Sequence, residues 1–119
     1  MHGYVSEDLC PRIEDFFVIG HDTDIEIEPI LDTGFNGEFC LPKRYQTMCV
    51  LQYLGTVGYL LADGTLTHTD TYIGQVIVDN QPRFVEVGIT EGEDALVGMK
   101  MIQNRVATFD LRQNRVTVE

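Results

Sequence analysis

Tryptophan is absent from this chain of 119 residues, basic side chains are scarce, and no two cysteines stand at C-x-x-C spacing. Eight Lys and Arg face 19 Asp and Glu, a formal charge of −11. Such a surface repels nucleic-acid phosphates and anionic lipid headgroups, so neither nucleic acid nor membrane is expected as a partner. It attracts cationic peptides, and it also keeps a protein soluble. Three cysteines, Cys10, Cys40 and Cys49, give neither a disulfide framework nor a zinc site. Reduced, mostly buried thiols in a cytoplasmic protein are the expectation. The opening Met1-His2-Gly3-Tyr4-Val5-Ser6-Glu7-Asp8 has no basic segment and no apolar core, so no signal peptide is expected. The longest strongly apolar run, Phe16 to Ile19, is too short to cross a bilayer.

Metal chemistry has equally little to stand on. His2, His21 and His68 lie far apart, with no H-E-x-x-H among them. Asp22-Thr23-Asp24 opens like a calcium loop but lacks its glycine and terminal Glu, and Glu91-Gly92-Glu93-Asp94 reads as a flexible acidic loop. No signature surrounds Cys40 or Cys49 to make either a nucleophile. No metal and no organic cofactor is expected.

What the chain does have is short alternating segments cut by turn residues. Its length suits one domain, residues 1–119, burying about two-thirds of the unfolded chain's surface. Arg12 to Ile19 reads as a first strand. Ile25, Ile27 and Leu31 then alternate with Glu26 and Glu28, so one face of a strand meets water. Pro29 cannot donate to a ladder and marks an edge or bulge. From Leu41-Pro42, the spacing of Tyr45, Met48, Cys49 and Gln52 predicts a helix that stops at Gly55. Val57 to Ala62 and Leu66 onward predict a hairpin whose two-residue turn is Asp63-Gly64, with positive φ at both. Tyr72 to Val78 and Phe84 to Ile89 pair around Asp79-Asn80-Gln81-Pro82. Gly98 to Arg105 reads as a second short helix. Val106 to Leu111 and Val116 to Val118 form a last strand pair. The fold class is mainly β, a closed or sandwiched sheet with one or two short helices.

One tripeptide carries chemistry. Asp32-Thr33-Gly34 follows the apolar Pro29-Ile30-Leu31 and places a carboxylate where a strand leaves the core. Hydrolysis by carboxylates needs two of them, one to take a proton from the attacking water and one to donate to the carbonyl oxygen. Two carboxyls about 3 Å apart cannot both ionise, so they share a proton. This chain supplies one such acid: every other Asp lacks the Thr-Gly that follows Asp32. A catalytic site therefore needs the second from another copy, across a two-fold axis. The alternative is that Asp32 merely starts a turn, for which Asp-x-Gly is well suited.

Ile30-Leu31-Asp32-Thr33-Gly34-Phe35-Asn36-Gly37, Leu41-Pro42, Ala62-Asp63-Gly64-Thr65 and Ala95-Leu96-Val97-Gly98-Met99 follow one another in a familiar order. In this the chain resembles the retropepsin-like aspartic proteases, and most closely their small single-domain bacterial branch, from about Gly3 to Glu119. The resemblance implies an acid-protease barrel, a single lobe that forms a two-fold homodimer and cleaves peptide bonds. It implies that Asp32 is the catalytic aspartate. Thr33 would lock the two loops together, and Gly34 would present its backbone to substrate. Phe35, Asn36 and Gly37 would meet the peptide, under a flap tip formed by Ala62, Asp63, Gly64 and Thr65. Leu96 would line a side-chain pocket, Val97-Gly98 would pack beneath the catalytic loop, and the terminal strands would help form the dimer sheet. The partners implied are a second copy and a peptide or protein substrate.

The chain also departs from that pattern. Phe35 stands where the wider clan has Ala, Ser or Thr, and a ring there would narrow the cleft. Retroviral members pair an Arg after the late glycine with an acid two positions after the catalytic one. Here those places hold Met99 and Asn36, so both charges are missing together and neither is left unpaired. Two readings stand beside the protease: a dimerisation or peptide-binding module that keeps the fold but cleaves little, and a monomeric β-rich domain with an incidental turn.

Overall fold

Period-two patterning dominates the chain, and the computed structural model, which describes residues 1–119 apart from the side chain of Tyr59, turns it into twelve strands. They are β1 (His2–Val5), β2 (Pro11–Ile13), β3 (Phe16–Val18), β4 (Ile25–Ile27), β5 (Ile30–Leu31), β6 (Phe39–Pro42), β7 (Leu51–Leu60), β8 (Leu66–Val78), β9 (Gln81–Thr90), β10 (Leu96–Val97), β11 (Ala107–Asp110) and β12 (Arg115–Val118). The sheet runs β11-β12-β1-β2-β5-β10-β6-β9-β8-β3-β4, with β7 paired to β8. The mainly β expectation is borne out.

Alternation explains the core. Val76, Val85, Val87, Val116 and Val118 point inward from β8, β9 and β12, and Phe16 stacks on Phe39 at a centroid distance of 5.3 Å. At the chain ends, the Met1 amine meets Asp79 Oδ1 at 2.7 Å and donates to the Val118 carbonyl at 2.9 Å. Arg105 reaches the same two residues, Asp79 Oδ2 at 3.3 Å and Val118 O at 2.8 Å. Two cations thus close the first and last strands on one carboxylate.

Several boundaries differ from the sequence expectation, each for a local reason. The segment Arg12 to Ile19 is two strands, because Asp15 takes a left-handed φ of 53° and the chain changes partner there. The helix expected from Leu41 to Gly55 is a single 3-10 turn, Lys43–Tyr45. Its continuation is lost to tertiary pairing: Gly20 bridges Cys49, the Val50 amide donates to the Ile19 carbonyl, and Gln52 lies in β7. The second helix is likewise one 3-10 turn, Met99–Ile102, ended by extended backbone at Gln103 and a left-handed Asn104.

Both hairpin turns differ from the expected forms. Asp79 and Asn80 both have positive φ, 55° and 58°, and join the paired Val78 and Gln81 in a tight two-residue turn. At the other tip only Gly64 is left-handed, with φ 86°. The Leu61 amide donates to Thr65 and the Gly64 amide to Leu61, giving a three-residue loop, Ala62-Asp63-Gly64. The Asp63 carboxylate accepts the Thr65 amide at 2.9 Å.

The topology has one unusual step, and it makes the site. β5 and β6 are consecutive in the chain but do not pair. β10 lies between them, parallel to β5 and antiparallel to β6. The loop from Asp32 to Glu38 must therefore cross the end of β10, where Gly98 follows Val97.

Candidate active site

Asp32 is held at the tip of β5 by main-chain contacts. The Ile30 amide donates to Ala95 and the Asp32 amide to Val97, each at 2.9 Å, so the parallel ladder runs to the acid itself. The chain then turns: the Phe35 amide donates to the Asp32 carbonyl at 3.1 Å, and the Gly34 amide donates to Asp32 Oδ1 at 2.9 Å. A side chain on Gly34 would put a Cβ 3.3 Å from that oxygen. The carboxylate is thus aimed by its own loop, as in any Asp-started turn. Among the described residues its second oxygen and the Thr33 hydroxyl find no hydrogen-bond partner within the chain. Thr33 and Gly34 are exposed and Asp32 is half-buried.

Around Asp32 and Thr33 opens a shallow groove of about 420 Å³ whose walls are apolar. Leu9, Phe109 and Leu111 line it, and all three face solvent, at 74%, 40% and 68% exposure. An ionisable group thus sits among large uncovered hydrophobic side chains.

The rest of the loop faces a second cavity, of about 250 Å³. Phe35 and Gly37 line it from the loop, Thr69 and Thr71 from the β7–β8 hairpin, and Glu86 and Lys100 from its far wall. The hairpin reaches this cavity through a bulge between Tyr53 and Gly55, where the buried Thr71 hydroxyl donates to the Gly55 carbonyl at 3.0 Å. A bulge reverses which side chains face inward. Beyond it Val57 pairs with Thr69, on the face that looks into the cavity.

The residues singled out from sequence are therefore distributed. Asp32 and Thr33 share the apolar groove, while Phe35 and Gly37 share the second cavity with the base of the hairpin. Asn36 lies on a third surface beside Met99 and Arg105. Leu96 is half-buried in β10, paired with Ile30 on one side and Cys40 on the other. Ala62, Asp63, Gly64 and Thr65 form an exposed tip. There the hydroxyl and then the amide of Thr65 hold the Asp63 carboxyl below its ordinary value. Leu9, Phe109, Leu111, Thr69, Thr71 and Lys100 did not stand out in the sequence. The Thr67, Thr69, Thr71 alternation was the available signal for a hydroxyl-bearing strand face.

Cys49 is in the core, whereas Cys10 and Cys40 are half-buried. Burial pushes the Cys40 and Cys49 thiols up, which disfavours the thiolate a nucleophile needs. Among the described residues no three His, Cys, Asp or Glu side chains gather as a metal ligand set would.

No family model matches the chain, and no curated protein matches it in sequence. Among solved structures it is similar to a retropepsin-like aspartic protease from Rickettsia conorii, with a TM-score of 0.61 and 14% identity. The match covers 98% of this chain and 85% of that one. The likeness establishes the fold as mainly β and retropepsin-like.

Proposed function

We propose that the chain is one half of an aspartic endopeptidase, completed when a second copy brings its own Asp32 to the first. The observation that carries this is the setting of Asp32: a carboxylate on a hydrogen-bonded loop, one oxygen tied by Gly34, beside exposed Leu9, Phe109 and Leu111. The retropepsin-like fold supports the same reading. A two-fold axis through the groove would bury those side chains and bring the two acids face to face, because such an interface repeats every residue. Thr33, exposed at the same rim, would reach across to the partner loop.

The chemistry then follows from the pair. One carboxylate takes a proton from water as the water oxygen attacks the peptide carbonyl carbon, and the other gives its proton to the carbonyl oxygen. Collapse of the tetrahedral intermediate breaks the C–N bond, and the amine leaves with a proton from the dyad. Neither metal nor organic cofactor is required. Substrate would lie extended under the β7–β8 hairpin, adding main-chain hydrogen bonds as a strand does. Phe35, Gly37, Thr69 and Thr71 would receive one of its side chains.

Incubation with a mixed peptide library tests the proposal. Wild-type protein should cleave it, fastest at acidic to near-neutral pH. Asp32→Asn should abolish cleavage while dimer formation and peptide binding survive. Unchanged cleavage by that variant would end the enzyme reading, and binding without cleavage by the wild type would favour a non-catalytic peptide-binding module.

A further inference from the structure

The loop that carries Asp32 has a second anchor at its other end, at Glu38. Glu38 ends the loop just before β6, and its carboxylate is only 15% exposed. Both carboxylate oxygens are used: Oε2 meets Arg83 Nη2 at 3.2 Å, and Oε1 accepts the Glu86 amide at 3.1 Å. Its carbonyl accepts the Gly98 amide at 2.9 Å. Arg83 in turn donates to the Met101 carbonyl at 3.0 Å. Met99 and Lys100 close the set by donating to Phe35 and Gly37, at 2.8 and 3.2 Å.

These contacts form a ring. It leaves the loop at Glu38, crosses to β9 through Arg83, and reaches the 3-10 turn at Met101. It returns through Lys100, Met99 and Gly98 to Gly37, Phe35 and Glu38. Asn36 and Met99, inside the ring, carry no charge. The one ion pair in this ring is therefore Glu38 with Arg83. We propose that Glu38, which also lines the 250 Å³ cavity, is a positioning residue for the Asp32 loop, acting through Arg83 and Gly98. It fixes the far end of a crossing loop whose near end is fixed by Val97. A partly buried pair whose carboxylate also accepts a main-chain amide loses more when one member is removed than a surface pair does.

The inference rests on the endopeptidase reading for its consequence, not for its geometry, so the test has two arms. In the kinetic arm, Glu38→Gln and Arg83→Gln should each lower kcat about 10-fold or more with KM changed less than about 3-fold, since small misplacements of reacting groups act on turnover. The double variant should be no worse than the poorer single, because the two act as one unit. Asp94→Asn, which breaks the more exposed Arg12–Asp94 pair (3.1 Å), should leave kcat unchanged. In the exchange arm, the Gly98 amide of Glu38→Gln should exchange with solvent about 10-fold faster, while Asp94→Asn leaves it protected.

Additive singles, a kcat for Glu38→Gln within about 2-fold of wild type, or equal exchange in Glu38→Gln and Asp94→Asn would each overturn the proposal. Should Glu38→Gln fail to fold, Arg83→Gln decides in its place, since it keeps the Glu38 contact to Glu86. A wild-type protein that cleaves nothing refutes the endopeptidase reading, and the exchange arm still decides the anchor.

Discussion

A Cβ built on Gly98 would lie 2.0 Å from the carbonyl oxygen of Gly37, and 2.8 Å from that of Phe35. Both obstacles are main-chain atoms of the loop that crosses β10, and neither can rotate away. The late glycine is therefore a condition of the crossing itself. Gly98→Ala should lower stability by about 3 kcal/mol or more, in the upper range for overpacking. Urea denaturation checks this against Gly88→Ala, whose Cβ would meet only Cys40 Sγ, at 3.9 Å, and which should change stability little. Equal midpoints for the two variants would mean the loop does not cross here.

Leu111 sits in the turn after β11 and Leu9 in the turn after β1, both largely exposed beside Asp32. A charge placed there disturbs nothing inside the isolated chain. Leu111→Glu should therefore leave the unfolding midpoint of the monomer near that of wild type. It should also shift sedimentation at micromolar concentration toward 13.5 kDa material. Activity at the same concentration should fall by about 10-fold or more, as burying an unpaired carboxylate in an apolar interface is costly. Activity unaffected by Leu111→Glu would place the groove outside any working interface.

Acid should weaken the closure of the chain ends in a definite sense. Burial tends to raise the Asp79 carboxyl, but the hydrogen bond and charge of the Met1 amine, then those of Arg105, outweigh it and hold the group below its ordinary value. A carboxyl depressed in the folded state adds stability above its unfolded value, and loses that contribution as pH falls through the folded one. The stability gap between wild type and Asp79→Asn should be constant near neutrality and vanish in strong acid. Its size should be on the order of 1 kcal/mol, because the carboxylate is partly open to solvent. Urea denaturation across pH reads the gap directly, and one that widens toward acid would contradict the linkage.

Under the proposed function, Phe35 would shape the space that receives a substrate side chain. Its ring lies 2.7 Å from where a Gly37 Cβ would be, and it fills one side of the 250 Å³ cavity that Thr69 and Thr71 face. Phe35→Ala should enlarge the cavity and move the preferred substrate side chain toward larger apolar types, at a cost of roughly 3 kcal/mol or less in stability given partial exposure. Profiling wild type and variant on one peptide library checks it; identical preferences would remove Phe35 from the cleft.

The sequence made some of this legible and hid the rest for physical reasons. Alternation in Tyr72–Val78 and Phe84–Ile89 announced β8 and β9, because one face of each is buried and the other is not. The Asp32 loop was legible because Asp32, Thr33 and Gly34 are adjacent in the chain and the turn they form is local. The false helix after Leu41 came from a real period of three to four at Tyr45, Met48 and Cys49. Long-range contacts, from the Val50 amide to Ile19, the His21 amide to Met48 and the Gly20–Cys49 bridge, divert that chain into β7, and no local pattern encodes them. Asp79-Asn80 forms the two-residue turn and Asp63-Gly64 does not, because the register of the flanking strands fixes loop length. Glu38 and Arg83 stand 45 residues apart and become partners only once β6 lies parallel to β9.

A site shared between two chains, as proposed, would make one further prediction that no single-chain catalyst shares. If each active unit needs two copies of Asp32, adding Asp32→Asn protein to wild type sequesters wild-type chains in dead heterodimers. At constant total protein, with time for subunits to exchange, the rate should follow the square of the wild-type fraction. It should fall below the square if the mixed pair, relieved of one carboxylate facing another, is the more stable. A monomeric hydrolase would give a straight line through the same end points. The curvature of that plot, measured with one peptide at one pH, separates the two without any structure of the assembly, and a straight line ends the half-site reading of Asp32.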